Sequence, residues 1–227
     1  MIELSPSEEG KEGCVFISFE GIEGCGKTTQ VQRLAGRLES LGIPVVMTRE
    51  PGGTAIGEKI RAVLLDARNR HLSSLAELFL YAADRAQHVE EVIRPSLGEG
   101  KWVLCDRYAD ATTVYQGYSR GLDMDLVRML NDTATGGVLP DITFLLDCPV
   151  NVGLGRALNR NMEMELKGQD RFELERKQFH ESVRAGYLKL SSTENERFIL
   201  VDATLDEETM EAVIFEHIKP LFKQEKM

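Results

Sequence analysis

Gly21-Ile22-Glu23-Gly24-Cys25-Gly26-Lys27-Thr28 is the stretch on which the reading of this chain turns. It has the form G-x-x-x-x-G-K-T. Before it runs a continuous apolar segment, Cys14 to Phe19 (CVFISF), long enough for a buried strand. After it, Val31, Leu34, Leu38 and Leu41 recur at helical spacing until Gly42 stops the pattern. Strand, glycine-rich turn and helix in that order are the context a phosphate-binding loop requires. The glycines let backbone N–H groups converge on a phosphate, and the helix points its positive end at the same anion. Lys27 can then reach the β- and γ-phosphates, and the Thr28 hydroxyl can ligate Mg²⁺. A chance glycine-rich turn would lack the flanking strand and helix, so nucleotide triphosphate binding is the first expectation.

Outward from this loop the pattern repeats. Apolar runs at Val45–Met47, Trp102–Cys105, Ile142–Leu146 and Phe198–Val201 read as four further strands. Amphipathic stretches at 55–65, 74–93, 123–134, 150–160, 172–190 and 206–222 read as helices between and after them. Strands alternating with helices of this length predict an α/β fold, a five-stranded parallel sheet covered on both faces. Right-handed crossovers place the loops after the strands on one edge, where ligands bind. Residues 161–171 are polar, of mixed charge, and include Gly168, so a lid spanning about 156–171 is expected there.

Two more motifs end strands at that edge. The second strand runs into Arg49-Glu50-Pro51-Gly52-Gly53-Thr54, and the third into Asp106-Arg107-Tyr108. Arginine grips phosphate with a planar, two-pronged donor array, so Arg49 and Arg107 point to a second phosphorylated ligand facing the nucleotide. Asp106 could hold Mg²⁺ through water or orient Arg107. The plainer alternative is a pair of surface ion pairs, Asp106 with Arg107 and Arg49 with Glu50. Tyr81 and Arg85, four apart on a helix, share a face that suits a flat base with a polar edge; the alternative is a core tyrosine and a solvated arginine.

Composition narrows the class. At roughly 150 residues per domain, 227 residues fit one domain with a lid, here 13–227 behind a tail at 1–12. Hydrophobic residues are 42 % and charged residues 28 %, ordinary for a globular protein. The formal net charge of −10 argues against a backbone-binding nucleic-acid protein. No stretch approaches the ~18 apolar residues of a membrane span. The 4 cysteines show no CxxC or zinc spacing, and the N-terminus lacks the features of a signal peptide, so a reducing, cytoplasmic setting is expected.

Taken together, FEGIEGCGKTTQ (19–30), REPGGT (49–54), YAADRAQ (81–87), DRYADATTVYQG (106–117) and DRFE (170–173) resemble the thymidylate kinases of the nucleoside-monophosphate kinase superfamily. The resemblance covers nearly the whole chain from Val15. It implies transfer of a phosphoryl group from ATP to dTMP with Mg²⁺, a three-layer P-loop fold with a lid, and a homodimer. It places Gly21, Ile22, Glu23, Gly24, Cys25, Gly26, Lys27, Thr28 and Thr29 on the nucleotide, and Thr28 and Asp106 at the metal. It implies that Tyr81 stacks on thymine, where the family often has Phe, and that Arg85 meets the base edge. Arg49 and Arg107 correspond to the pair on the dTMP phosphate. Thr112, Tyr115 and Gln116 match positions lining the base and sugar pocket, with Tyr115 where a ribose 2′-hydroxyl would go. Glu23 matches the carboxylate near the sugar 3′-hydroxyl and the metal. No arginine lies within the loop, so the bacterial-type arrangement is implied. There the charge-stabilising arginine comes from the lid, with Arg160 at the transferring group and Arg156 near adenine. Lys27, Arg107, Arg160 and Asp106 are thus the expected catalytic set. Cys25 departs from the small Ala or Ser commoner at its place.

Other classes fit less well. A Ras-type GTPase would carry N-K-x-D, which is absent from the sequence. The nearest rival is a kinase for a different nucleoside monophosphate or for a deoxynucleoside; the latter would have no use for the two phosphate arginines. A non-catalytic nucleotide switch would need no acceptor pocket, and a thiol-redox role for Cys25 has no resolving partner in the sequence.

Overall fold

The structure is a computed structural model that describes residues 13–163, 171–173 and 175–221, with 161–163 by their backbone alone. The tail at 1–12 and the middle of the expected lid, 164–170, lie outside these residues. Five strands, β1 (Phe16–Glu20), β2 (Val45–Arg49), β3 (Trp102–Asp106), β4 (Ile142–Asp147) and β5 (Phe198–Asp202), form one parallel sheet in the order β2-β3-β1-β4-β5. This is the expected α/β fold with a five-stranded parallel sheet flanked by helices. Every residue of the central β1 is buried, as two covered faces require.

Side chains of β1 alternate between the faces. Phe16 joins Val89, Ile93, Val103, Cys105 and Tyr108 in one cluster. Ile17 and Phe19 join a larger one that includes Leu34 and Leu38 of α1 (Lys27–Ser40) and Ile214 and Phe215 of α9 (Glu207–Ile218). The polar members of the first face are satisfied inside the protein: Ser18 and Thr143 hydroxyls meet at 2.8 Å, and Glu20 is held as described below.

Between these elements lie α2 (Ala55–Leu65), α3 (Ser74–His88), α4 (Arg94–Gly98), α5 (Ala109–Thr112), α6 (Met124–Thr135), α7 (Val150–Glu163) and α8 (Lys177–Thr193). The helix expected over 74–93 instead continues to residue 98 through a π-helical stretch, Val89–Ile93. Pro95 has no N–H for the α-helical ladder, and the turn upstream of it widens, with the Arg94 N–H reaching the Val89 carbonyl. A second π-helical stretch, Thr113–Ser119, follows α5. The helix expected from 172 begins only at Lys177, because Arg171 and Phe172 form a turn with both side chains buried. Helix α9 starts where Asp206 caps it, its carboxylate accepting the Thr209 N–H at 2.9 Å. Among the described residues, no helix is long and apolar enough to cross a membrane.

The loop after β1 packs backbone against backbone on the first turns of α7. A Cβ built on Gly24, whose φ is +70°, would fall 2.0 Å from the Gly153 carbonyl oxygen; one on Gly153 would fall 2.5 Å from that of Glu23. Neither position has room for a side chain.

Candidate active site

Gly26 is the N-cap of α1, with φ 95° and no side-chain capping bond, and the first turn carries no acidic residue. The first N–H groups of the helix are therefore left for an outside anion. Lys27 is buried within the loop. Its Nζ donates to the Ile22 carbonyl at 2.8 Å and the Gly21 carbonyl at 3.2 Å, and lies 3.4 Å from Cys25 Sγ. The Thr28 hydroxyl donates to the Asp106 carboxylate. The register that pairs Phe19 with Asp106 across β1 and β3 brings these two residues, distant in sequence, to one point.

Arg107, the next residue along, has φ 68°, a left-handed conformation rare outside glycine. Strain of that kind persists where surrounding contacts hold it. Here Nη1 donates to the Gly21 carbonyl at 2.8 Å and the Tyr187 hydroxyl at 3.1 Å, and Nη2 to Glu23 at 3.0 Å. Glu23 also accepts from the Tyr115 hydroxyl at 2.5 Å and from His180 Nδ1 at 3.2 Å. Burial alone would raise its pKa. The His180 hydrogen bond, the charges of Arg107 and Lys27 and the Tyr115 hydroxyl outweigh burial and hold the carboxylate well below the usual range.

Arg49 pairs with Glu58 at 2.8 Å, both about half exposed. The alternative pairings read from the sequence are thus replaced: Arg107 takes Glu23, Arg49 takes Glu58, and Glu50 turns inward. Arg61 is a further guanidinium beside Arg49; burial and the Arg49 charge lower its pKa, and its Nη1 donates to the Pro51 carbonyl at 2.8 Å. Its place in α2 carries no motif, so sequence reading passed over it.

Tyr81 and Arg85 do lie one turn apart on α3, yet they differ in setting. Tyr81 is partly exposed, whereas Arg85 is 1 % exposed. Arg85 donates to Glu50 at 2.9 Å, Asn131 at 2.8 Å, the Tyr108 carbonyl at 3.2 Å and Thr112 at 3.0 Å. In this structure it is the tie between the 49–54 loop, α5 and α6. Tyr115 and Gln116 come from the widened turn of Thr113–Ser119, and Gln116 donates to Glu77 at 2.7 Å.

On the nucleotide side, Arg156 of α7 donates to the Ala203 carbonyl at 2.7 Å. Arg160 lies half exposed, 3.6 Å from Glu173. Arg171 is buried, donating to the Leu64 carbonyl at 2.6 Å and paired with Glu77.

Three residues to which the sequence reading gave no role complete the cluster. Glu20 accepts the Tyr108 N–H at 2.7 Å and the Tyr187 hydroxyl at 2.6 Å, and burial beside Asp110 pushes its pKa up to about 7. His180 and Tyr187 lie on α8 with Arg184, which holds Asp147 at 2.7 Å. Positions 180, 184 and 187 share one helix face. That i, i+4, i+7 spacing was the available signal, and it reads equally well as a buried stripe.

The family model for thymidylate kinase matches residues 19–214. The chain belongs to the thymidylate kinase family. Its likeness to curated members is high. It is 54 % identical to a thymidylate kinase of Geotalea uraniireducens (strain Rf4) over 202 residues, 89 % of this chain and 94 % of that one. It is 58 % identical to one of Desulfosudis oleivorans over 190 residues, 83 % of this chain and 89 % of that one. Among solved structures, thymidylate kinase from Ehrlichia chaffeensis aligns with a TM-score of 0.73 at 34 % identity, covering 92 % of this chain and all of that one.

Proposed function

We infer that this chain is an ATP-dependent thymidylate kinase, which moves the γ-phosphoryl group of ATP onto dTMP and releases ADP and dTDP. The observation that carries this is the family match over residues 19–214. The phosphate loop and Arg107, joined through Gly21 and Glu23, supply the matching chemistry.

Phosphoryl transfer asks a protein for alignment and charge neutralisation more than for covalent chemistry. Lys27 would exchange its loop carbonyls for the β- and γ-phosphate oxygens. Arg107 and Arg49 would hold the dTMP phosphate, and Arg160, with Arg156 near adenine, would close on the transferring group. Tyr81 would stack on thymine, with Thr112, Tyr115 and Gln116 around base and sugar. Arg85 would frame the base edge from its fixed place among Glu50, Asn131 and Thr112. The attacking phosphate oxygen is already anionic near neutral pH, so no general base is needed. The Thr28 hydroxyl and the Asp106 carboxylate form a hydrogen-bonded pair of hard oxygen donors, a set that fits Mg²⁺. When bound, Mg²⁺ would neutralise charge on the phosphate oxygens. A cytoplasmic setting, where ATP is at hand, is part of this reading.

We also read the protein as a homodimer. Helices α2, α3 and α6 pack side by side, and they leave Ile56, Val63, Leu75, Phe79 and Met129 on the surface, Phe79 at 50 % exposure. Apolar side chains grouped in this way mark an interface. Sedimentation at micromolar concentration is expected to give a dimer, and Phe79→Asp a monomer. A wild-type monomer would end the dimer reading.

The test of function is a coupled ADP-release assay with ATP and Mg²⁺, offering dTMP, dUMP, dCMP, dGMP, AMP and thymidine separately. Strong release with dTMP alone, or with dTMP well ahead of dUMP, is expected. Preference for thymidine would turn the reading to a deoxynucleoside kinase and remove the phosphate role from Arg49 and Arg107.

A further inference from the structure

Glu23 is engaged from three directions. Its Oε1 accepts from Arg107 at 3.0 Å and from the Tyr115 hydroxyl at 2.5 Å, and its Oε2 accepts from His180 Nδ1 at 3.2 Å. An ionised carboxylate offers about four acceptor positions, two on each oxygen. Among the described residues, Oε1 has both of its positions filled, while Oε2 has one filled and one open.

His180 is itself fully buried, and its ring stands edge-on to Phe179 at 5.7 Å between centroids. Its Nε2 is buried with no hydrogen-bond partner among the described residues. An unpaired buried ring nitrogen is unfavourable, and an apolar residue at the same place on α8 would avoid it. What the imidazole provides in exchange is the bond from Nδ1 to Glu23. Because Glu23 can only accept, Nδ1 carries the proton. The helix that presents His180 is anchored further along the same face, where Arg184 holds Asp147 and Tyr187 holds Glu20. The ring therefore has a fixed direction from which to donate.

We propose that His180 is a positioning residue that sets acceptor-sugar specificity. By donating to Oε2 of Glu23 it fixes the one open acceptor position of that carboxylate toward the 3′-hydroxyl of the acceptor nucleotide. This rests on the reading above that Glu23 stands beside that hydroxyl. Without the bond, Oε1, still held by Arg107 and Tyr115, becomes a single pivot about which the carboxylate can swing through the upstream torsions of the side chain, carrying Oε2 out of place. The acceptor phosphate would bind as before, and the grip on the sugar would be lost.

Replacement by Asn puts an amide N–H where Nδ1 stands; Gln puts one where Nε2 stands. With dTMP as acceptor, His180→Gln and His180→Phe are expected to raise KM about tenfold or more, with the KM for ATP unchanged. His180→Asn is expected to stay within about threefold of the wild type. With 3′-deoxythymidine monophosphate, all four proteins are expected to show similar KM. Glu23→Gln serves as the control and should also lose the preference for dTMP over the 3′-deoxy acceptor. If it does and the His180 variants do not, the role given to His180 is wrong. If it does not, the placement of Glu23 at the sugar is wrong, and the proposal falls with it. Equal losses on both acceptors would reduce His180 to a packing residue. A measurement independent of variants is the ¹⁵N spectrum of His180 in the folded wild type: a protonated Nδ1 and a bare Nε2 are expected, and the opposite tautomer overturns the proposal.

Discussion

Lys27→Ala is expected to lower kcat by roughly 10³-fold or more while the protein stays folded. The side chain is buried, but among the described residues its Nζ bonds only to the loop's own Gly21 and Ile22 carbonyls and the Cys25 sulfur. Removing it leaves the sheet and the α1 contacts of Leu34 and Leu38 in place. What disappears is the one lysine charge held inside the loop, where the transition state spreads negative charge over phosphate oxygens. The effect should therefore fall on turnover, with the thermal midpoint shifted only slightly. The coupled ADP-release assay reads the first and thermal denaturation the second. A variant that kept a tenth of its turnover would contradict the phosphate-loop role.

Arg107→Ala is expected to separate the two substrates. Losing the arginine's charge-assisted grip on the acceptor phosphate in this partly buried site costs about 2–5 kcal/mol, so the KM for dTMP should rise by roughly 10²-fold or more. The KM for ATP should change by less than about threefold, because the Arg107 bonds run to Glu23, Tyr187 and one loop carbonyl, with Lys27 untouched. Arg107→Lys should recover only part of the loss, since a point charge cannot reproduce the fork that reaches Glu23 and Gly21 together. Equal rises for dTMP and ATP in a titration would show that Arg107 supports the loop and does not hold the acceptor.

The sequence made the local parts of this site legible. Walker-type spacing is a short-range signal, and the strand before Gly21 and the helix after Gly26 follow from residues within twenty positions. The strands too were visible, because each carries a short, mainly apolar run, and the three central ones are buried along nearly their whole length. The long-range pairings were not. Arg85 reads as a partner of Tyr81 by spacing, yet its surroundings are set by Glu50, Tyr108, Thr112 and Asn131, which only the fold brings together. Likewise His180 and Tyr187 reach β1 and its loop from more than 150 positions away. The π-helical turns depend on a single residue of register, which periodicity over a dozen residues does not resolve. The buried turn at 171–173 depends on Glu77, and a helical pattern from 172 could not foresee it.

The backbone contact between Gly24 and Gly153 has a mechanical consequence. With each chain lying against the carbonyl of the other and no side chain between them to compress, the loop and the first turns of α7 behave as one rigid body. Any displacement of the loop as it wraps a triphosphate is carried along α7 toward Arg156 and Arg160, a turn or two further on. The stiffness also constrains inheritance. A methyl group at either glycine collides with the backbone of the other element, so neither can be replaced first and compensated later. The two positions can change only if the helix is re-seated as a whole.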